Sequence, residues 1–408
     1  MRNQCYTPHA ISKREFQFSP ATYALDLASS NSLIRFDESV KHKAHGDALC
    51  SLLIVLEAVA TVRAEGVNPN IMQVMLFENL EYWNKFHPKE QKAYMYAQFP
   101  ESSKDTIEAS YEAYKCLKTI DFIRKTVNST SDITVDDIYR LNFESLRGTK
   151  REAQSMIRNF DMSQQFIQGA DICYQPTTHD MIDDLMLDLI EFLKRTDISP
   201  NIKSIIAHFQ LEAISPVTEG SDRLGRLLAF MIWKKYGLVE AVFPPFSITP
   251  AIQVKKYSYL LQPYLSEKQY NTAVANELLE EWVLHSLRAT NRSVQLAQYI
   301  DRQLGKLIAE WNSRVNIAQK DNTIYSIIKV LPGHPLITNN FASSLTGKKF
   351  KAVSVALKQL EELGILKAIN NKRRNKVYIV PEVFEKVIDL EEKIMPNNLS
   401  SREFYKDL

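Results

Sequence analysis

The sequence predicts a mainly α-helical protein that ends in a winged helix-turn-helix. Three observations carry this. The chain has 408 residues, 45% of them hydrophobic and 24% charged, with only 11 glycines. Few glycines and long runs rich in Leu, Ile, Ala, Glu and Lys favour helices. Apolar residues recur at helical spacing through most of the chain. After a polar break at Gln319–Asn322, the texture changes to short helices and a β-hairpin. The length exceeds what one compact core usually organises, so two or three domains are expected.

Residues 1 to about 40 read as an extended arm with weak periodicity. From His45 to Glu65 the spacing of Leu49, Leu52, Leu53, Leu56 and Val59 predicts a helix with a broad apolar face. Gly66 and Asn68-Pro69 end it. More helices follow to Leu146. Thr149–Gly169 is polar and mixed, with a short strand expected in QQFIQ. His179–Lys194 is an amphipathic helix broken by Ser199-Pro200. Ile202–Ile214 is the next, and a mostly apolar, central helix runs from Asp222 to about Tyr236, stopped by Gly237. Helices then span Gln253–Leu261 and Val274–Val315. In the last part, Thr323–Leu331, Asn339–Leu345 and Lys351–Leu363 are helical. ILKAI, the turn NNKRRNK and VYIV form a hairpin. The expected division is 1–105, 106–318, 321–385 for the winged helix and 386–408 for a tail.

Composition excludes several classes. The net charge of +2 leaves no global argument for a polyanion partner, so any basic site is local. Cys5, Cys50, Cys116 and Cys173 lie too far apart for a metal or redox motif. Cys50 and Cys116 sit in apolar helical contexts and are expected as buried free thiols, which suits a reducing cytoplasm. The first residues lack a secretory apolar core, and the apolar stretch at Ala48–Ala60 is too short to span a bilayer and contains Glu57. A cytoplasmic protein without a membrane span is therefore expected. His42 and His45 have a possible metal spacing with nothing to complete it. There is no P-loop, GxGxxG or GxSxG motif.

One loop stands out: ISPVTEGSDRLGR, Ile214–Arg226. It feeds a helix N-terminus, where free backbone N–H groups and the helix dipole favour an anion. Gly220 would let the backbone approach a phosphate, and Arg223 and Arg226 could pair with its oxygens. Glu219 could hold a magnesium ion bridging those phosphates. Alone, two arginines in the first turns of a helix are more often surface charges. The loop also lacks a base, because the hydroxyl of Ser215 cannot take a proton near neutral pH. His208 lies two helical turns upstream, roughly 10 Å away along the axis. Asp222 admits two readings. It would repel a triphosphate, and it would serve well as the N-cap of the following helix.

The loop resembles the active-site motif of the Fic (Fido) family, H-P-F-x-[DE]-G-N-[GK]-R-x-x-R. Pro216, Glu219, Gly220, Arg223 and Arg226 match. IIAHFQLEAI before it and LGRLLAF after it resemble the flanking helices, with His208 at a position used for helix packing. TVRAEG, Thr61–Gly66, resembles the family's inhibitory pattern [ST]-x-x-x-E-[GN]. Ile157–Gly169, best matched at Phe166–Gly169, resembles the flap that aligns a target segment by β-augmentation. The whole layout resembles that of many bacterial Fic proteins.

The resemblance implies a Fic-type helical core with a small β-hairpin flap, and AMP transfer from ATP and magnesium to a protein hydroxyl. By carry-over, Glu219 would hold the metal. Gly220, Ser221, Asp222, Arg223, Leu224, Gly225, Arg226 and Tyr257 would surround the nucleotide, with Ser247 near the adenine. Thr61, Glu65 and Gly66 would form the inhibitory element, and Glu65 would face Arg226. Four positions depart from the pattern: Ser215 for the basic histidine, Val217 for phenylalanine, Ser221 for asparagine, and Asp222 for glycine or lysine. Two readings follow. One is a catalytically impaired member with a binding or regulatory role. The other is an altered adenylyltransferase or de-AMPylase.

The C-terminal module is locally basic. Between Asp321 and Val380 ten basic residues stand against three acidic ones, a net of +7. In a DNA-binding winged helix the third helix enters the major groove and the wing touches phosphates. Lys348, Lys349, Lys351, Lys372, Arg373, Arg374 and Lys376 are the candidate contacts. Such modules also dock proteins, and the tail after Pro381 is a charged helix that could pair two copies.

Overall fold

A computed structural model describes residues 8–83, 88–130, 132–162, 165–166, 173–174, 176–252, 273–315, 323–369 and 376–394. The stretch read as an extended arm instead contains a long helix, α1 (Pro20–Val40). Ser19 caps it and Pro20 opens it. Its buried face includes Thr22, Asp26, Ser29, Leu33, Phe36 and Val40. The helical period is present, but half its members are polar, so no apolar stripe marks it. Asp37 secures its C-terminal end by accepting from the backbone amides of Glu240, Ala241 and Val242 at 2.7–3.0 Å.

Helix α2 (Gly46–Ala64) is enclosed on nearly every side, with only a few residues near its ends and Ser51 reaching solvent. A helix that is apolar around its circumference belongs in the centre of a core. α3 (Ile71–Leu80), capped by Asn70, and α4 (Pro88–Gln98) follow. α5 (Lys104–Thr126) packs on α2 and α3. α6 (Val135–Leu146) begins with a reciprocal capping box between Thr134 and Asp137.

A 3₁₀ turn at Glu152–Ser155 leads to strands β1 (Gln165–Phe166) and β2 (Cys173–Tyr174), paired antiparallel with Gln165 opposite Tyr174. Ile167–Gly169 of the expected flap lie outside the described residues. α7 (Ile182–Lys194), α8 (Pro200–Ile214) and α9 (Ser221–Lys235) come next. Gly225 lets α8 and α9 close on each other: a Cβ there would lie 2.3 Å from His208 Cδ2. α10 (Ile248–Ile252) is short, and α11 (Ala273–Arg314) is a single helix of 42 residues lying along α1. The expected Gln253–Leu261 helix lies outside the described residues.

The C-terminal module follows the expected plan with one strand more. α12 (Thr323–Val330) leads into β3 (Leu336–Thr338), then α13 (Asn339–Thr346) and α14 (Phe350–Glu362). β4 (Lys367–Ala368) and β5 (Val377–Ile379) complete an antiparallel sheet of order β3-β5-β4. This is winged-helix topology, and β3 is three residues long, too short to show a period. α15 (Pro381–Ile394) runs through the expected boundary at 385/386.

The module is packed onto the rest of the chain. Asn79 on α3 donates to Leu336 O at 2.9 Å, and Trp83 donates to Thr338 Oγ1 at 3.2 Å. Gly333 meets α2 so closely that a Cβ would lie 2.3 Å from Ala48 O. One connected core runs from Ile11 to Val387. Among the described residues, no helix is long and apolar enough to cross a membrane. Cys50 and Cys116 are buried free thiols.

Candidate functional site

The loop between α8 and α9 is held in place from outside. α8 ends at Ser215, which adopts left-handed geometry (φ 47°, ψ 61°) and whose Oγ donates to Glu212 O at 2.8 Å. Among the described residues Ser215 is the one non-glycine residue with positive φ. The buried Arg158 serves the last carbonyls of α8, donating from Nε to Ser215 O at 2.6 Å and from Nη2 to Ile214 O at 3.1 Å. Ile157 bridges Val217 antiparallel, and the Glu219 amide donates to Gln154 O at 3.1 Å. Gly220 turns left-handed (φ 89°) against Asn142, whose Oδ1 would be 2.8 Å from a Cβ. Only glycine suits both constraints.

Asp222 is not the N-cap. Gly220 occupies that position without a side-chain bond, and Asp222 lies one residue inside α9. Its Oδ1 accepts from the Arg223 amide at 2.8 Å and its Oδ2 from Arg226 Nη2 at 3.2 Å. The carboxylate still satisfies the helix N-terminus, but by pairing with the arginine four residues on.

Glu65, the C-cap of α2, reaches into the same place. Its main partner is Arg223 and not the expected Arg226. Arg223 Nε and Nη2 each donate to it at 2.7 Å in a bidentate fork, while Arg226 Nη2 lies 3.5 Å from Oε1. Asp222 and the Thr61 carbonyl, 3.2 Å away, take Arg226 instead. Two further residues carry no sequence motif. Arg151 donates to Glu65 at 2.7 Å, and Glu112 on α5 accepts from Arg223 Nη2 at 3.1 Å. Arg223 Nη1 donates to Ser145 O at 3.4 Å. Three guanidinium groups thus face three carboxylates, and Arg223 and Arg226 are almost wholly buried. Burial alone would raise the Glu65 pKa, but Arg223 and Arg151 hold it down at about 2. Burial also works against the charge of Arg223, and Glu65 and Glu112 overcome it.

The remaining carried-over positions divide. Glu219 is 43% exposed, 3.8 Å from Arg151 Nη1. Ser221 donates to Val217 O at 3.4 Å. Leu224 lies in the apolar core and Gly225 against His208. His208 is buried; burial first, then Arg226, lowers its pKa to about 3. Ser247 is fully buried on Glu57, donating from N at 2.8 Å and from Oγ at 2.5 Å. Thr61 joins the pair through Ser247 Oγ at 2.9 Å. Tyr257 lies outside the described residues.

Arg223 Nε and Nη2 and Arg226 Nη2, which the motif would turn toward phosphate, meet carboxylates and a carbonyl in this structure. Among the described residues no cluster of three or more His, Cys, Asp or Glu is placed to hold a metal.

In the winged helix, Lys349 and Lys351 are exposed at the start of α14 and Lys348 is half-buried. Lys376 is bound by Glu361 at 2.9 and 3.0 Å, which makes it a strut of the module. Lys372, Arg373 and Arg374 lie outside the described residues.

No protein-family model matches the sequence. Solved structures do. A Fic family protein from Desulfovibrio desulfuricans G20 superposes with a TM-score of 0.50 at 17% identity, over 90% of this chain and 97% of that one. Fic-1 from C. elegans gives 0.45 at 20% identity, over 69% of this chain and 75% of its own. A Fic domain containing signaling protein from Bacteroides thetaiotaomicron VPI-5482 gives 0.44 at 13% identity, over 68% of this chain and 96% of its own. The first of these spans nearly the whole of both chains, so the fold built around this loop is that of the Fic proteins.

Proposed function

We propose that this chain is a Fic-fold protein without adenylyl-transfer activity, acting as a binding or regulatory protein. The observation that carries this reading is the closed ion-pair network on Arg223 and Arg226. The anion pocket holds the protein's own carboxylates, and the reacting position holds Ser215. Loss of a general base typically removes about 10² to 10⁴ in rate. The retained Glu219, Arg223, Arg226 and Glu65 support a second reading, a residual transferase or a hydrolase of AMP-modified protein. Calorimetric titration with ATP and magnesium separates the two. The wild type is expected to show no saturable binding, and clear binding would sink the first reading. In parallel, S215H/D222G made in a chain that also carries E65Q/E112Q, so that Arg223 is released, is expected to transfer AMP to protein where the wild type does not.

The proposed regulatory arm is the winged helix contacting DNA. Its topology and the exposed Lys349, at the N-cap of α14, and Lys351 and Lys358, on it, support this. Binding would weaken steeply with salt. A K349E/K351E variant that shifts a DNA fragment as well as the wild type at every salt concentration would rule out α14 as the contact.

A further inference from the structure

The pocket contains one carboxylate more than closure by Glu65 requires. Glu112 comes from the middle of α5, and Glu65 comes from the end of α2. Both side chains are nearly buried, and both reach Arg223 Nη2, Glu65 at 2.7 Å and Glu112 at 3.1 Å. Glu112 also lies 3.6 Å from Arg151 Nε, so it touches two of the three guanidinium groups. Its neighbour one turn earlier, Glu108, is satisfied elsewhere by Lys92 at 2.7 Å and Tyr96 at 2.9 Å. Glu112 is therefore the one carboxylate that α5 contributes to this cluster among its described contacts.

The two carboxylates differ in how they can leave. Glu65 sits where α2 turns into Gly66 and Val67, and local unwinding of the last turn would withdraw it. Glu112 is anchored within a helix of 23 residues packed on α2, α3 and α6. Withdrawing Glu65 would leave Arg223 still bonded to Glu112, and Arg226 still bonded to Asp222. A buried guanidinium that keeps one carboxylate is not free to exchange it for a solvated phosphate, whose own desolvation opposes entry.

We propose that Glu112 is a second, independent counter-carboxylate for Arg223, so that the anion pocket stays closed when Glu65 alone is withdrawn and accepts phosphate only when both are gone. This rests on the reading that Glu65 and its partners close the pocket.

The test uses the full chain and the neutral isosteres E65Q, E112Q and E65Q/E112Q. Inorganic pyrophosphate and ATP–magnesium serve as probes in calorimetry, and thermal melting with and without pyrophosphate gives a second readout. The wild type and both single variants are expected to bind neither probe. The double variant is expected to gain at least tenfold in pyrophosphate affinity, with a matching upward melting shift. E65Q/E112M carries the same test if the double glutamine variant does not fold. E65Q binding as tightly as the double variant overturns the proposal, and so does a folded double variant with no gain. Wild-type binding of ATP–magnesium would instead defeat the proposed loss of activity, so the two failures are distinguishable.

Discussion

Glu57 and Glu65 lie two turns apart on one side of α2, both shielded from water, and their carboxyls behave in opposite ways. Burial pushes the Glu57 pKa up, and its hydrogen bonds from Ser247 and Thr61 only partly oppose that. Burial would do the same to Glu65, but the guanidinium groups of Arg223 and Arg151 reverse it. Partners, more than depth, decide which way the pKa of a buried acid moves. The comparison also separates two neighbouring clusters. One is held by hydrogen bonds among Glu57, Thr61 and Ser247. The other is held by ion pairs of Glu65, Glu112 and Asp222 with arginines. Thr61 lies between them, its hydroxyl on Glu57 and Ser247 and its carbonyl on Arg226.

The largest effect expected from this contrast comes from deleting each acid in turn. E65A removes the bidentate partner of buried Arg223 and leaves it with Glu112 alone, and breaking a buried pair from one side typically costs about 3–5 kcal/mol. E57Q keeps the shape and most of the hydrogen bonds of a group whose charged form burial disfavours, and should cost under about 1 kcal/mol. Urea unfolding of the two variants measures both. Equal losses would break the distinction.

The pairing of Glu65 with the arginine motif was legible from the sequence, because both halves carry recognisable patterns. Its geometry was not. Asp222 takes Arg226 and so turns Glu65 toward Arg223, a choice that depends on where α9 begins. Gly220 supplies that start through its left-handed backbone, which one sequence cannot distinguish from an aspartate cap. Arg151 and Glu112 were invisible because each is a single residue on its own element, brought in by packing. The α1 helix was missed for a related reason: Thr22, Asp26 and Ser29 occupy its buried face, and their partners lie far away in the chain. The winged helix, built from local patterns, was read almost entirely.

A smaller and more graded effect should appear with pH. Glu65 has a folded pKa of about 2 against an ordinary 4.5, so its contribution is present above 4.5 and is lost as pH falls toward 2. His208, lowered from 6.5 to about 3, works in the same direction over a higher window, its share lost as pH falls below 6.5. Glu57 has the opposite sign. Its contribution is complete below 4.5 and declines as pH rises through its raised pKa. Unfolding free energy measured against pH should therefore lose part of its acid slope below 4.5 in E65Q. In E57Q the decline as pH rises above 4.5 should flatten. If E65Q leaves the acid slope unchanged, the ion-pair cluster on Glu65 does not hold its charge as described.

Ser215 gives the smallest effect, and it asks whether the left-handed turn at the end of α8 is strained. A non-glycine residue in left-handed geometry costs about 1–2 kcal/mol. Ser215 recovers part of that through its bond to Glu212 O and through Arg158, which holds Ser215 O and Ile214 O. S215G removes the steric cost, loses one hydrogen bond and adds chain entropy to the unfolded state. The net gain should be no more than about 1 kcal/mol, read as a small rise in the urea midpoint with an unchanged slope. S215A keeps the Cβ and loses the hydroxyl bond, and should fall below the wild type by a similar amount. If S215G is instead the less stable of the two, the left-handed turn at the end of α8 is not strained. Arg158 would then hold a backbone that serine already prefers.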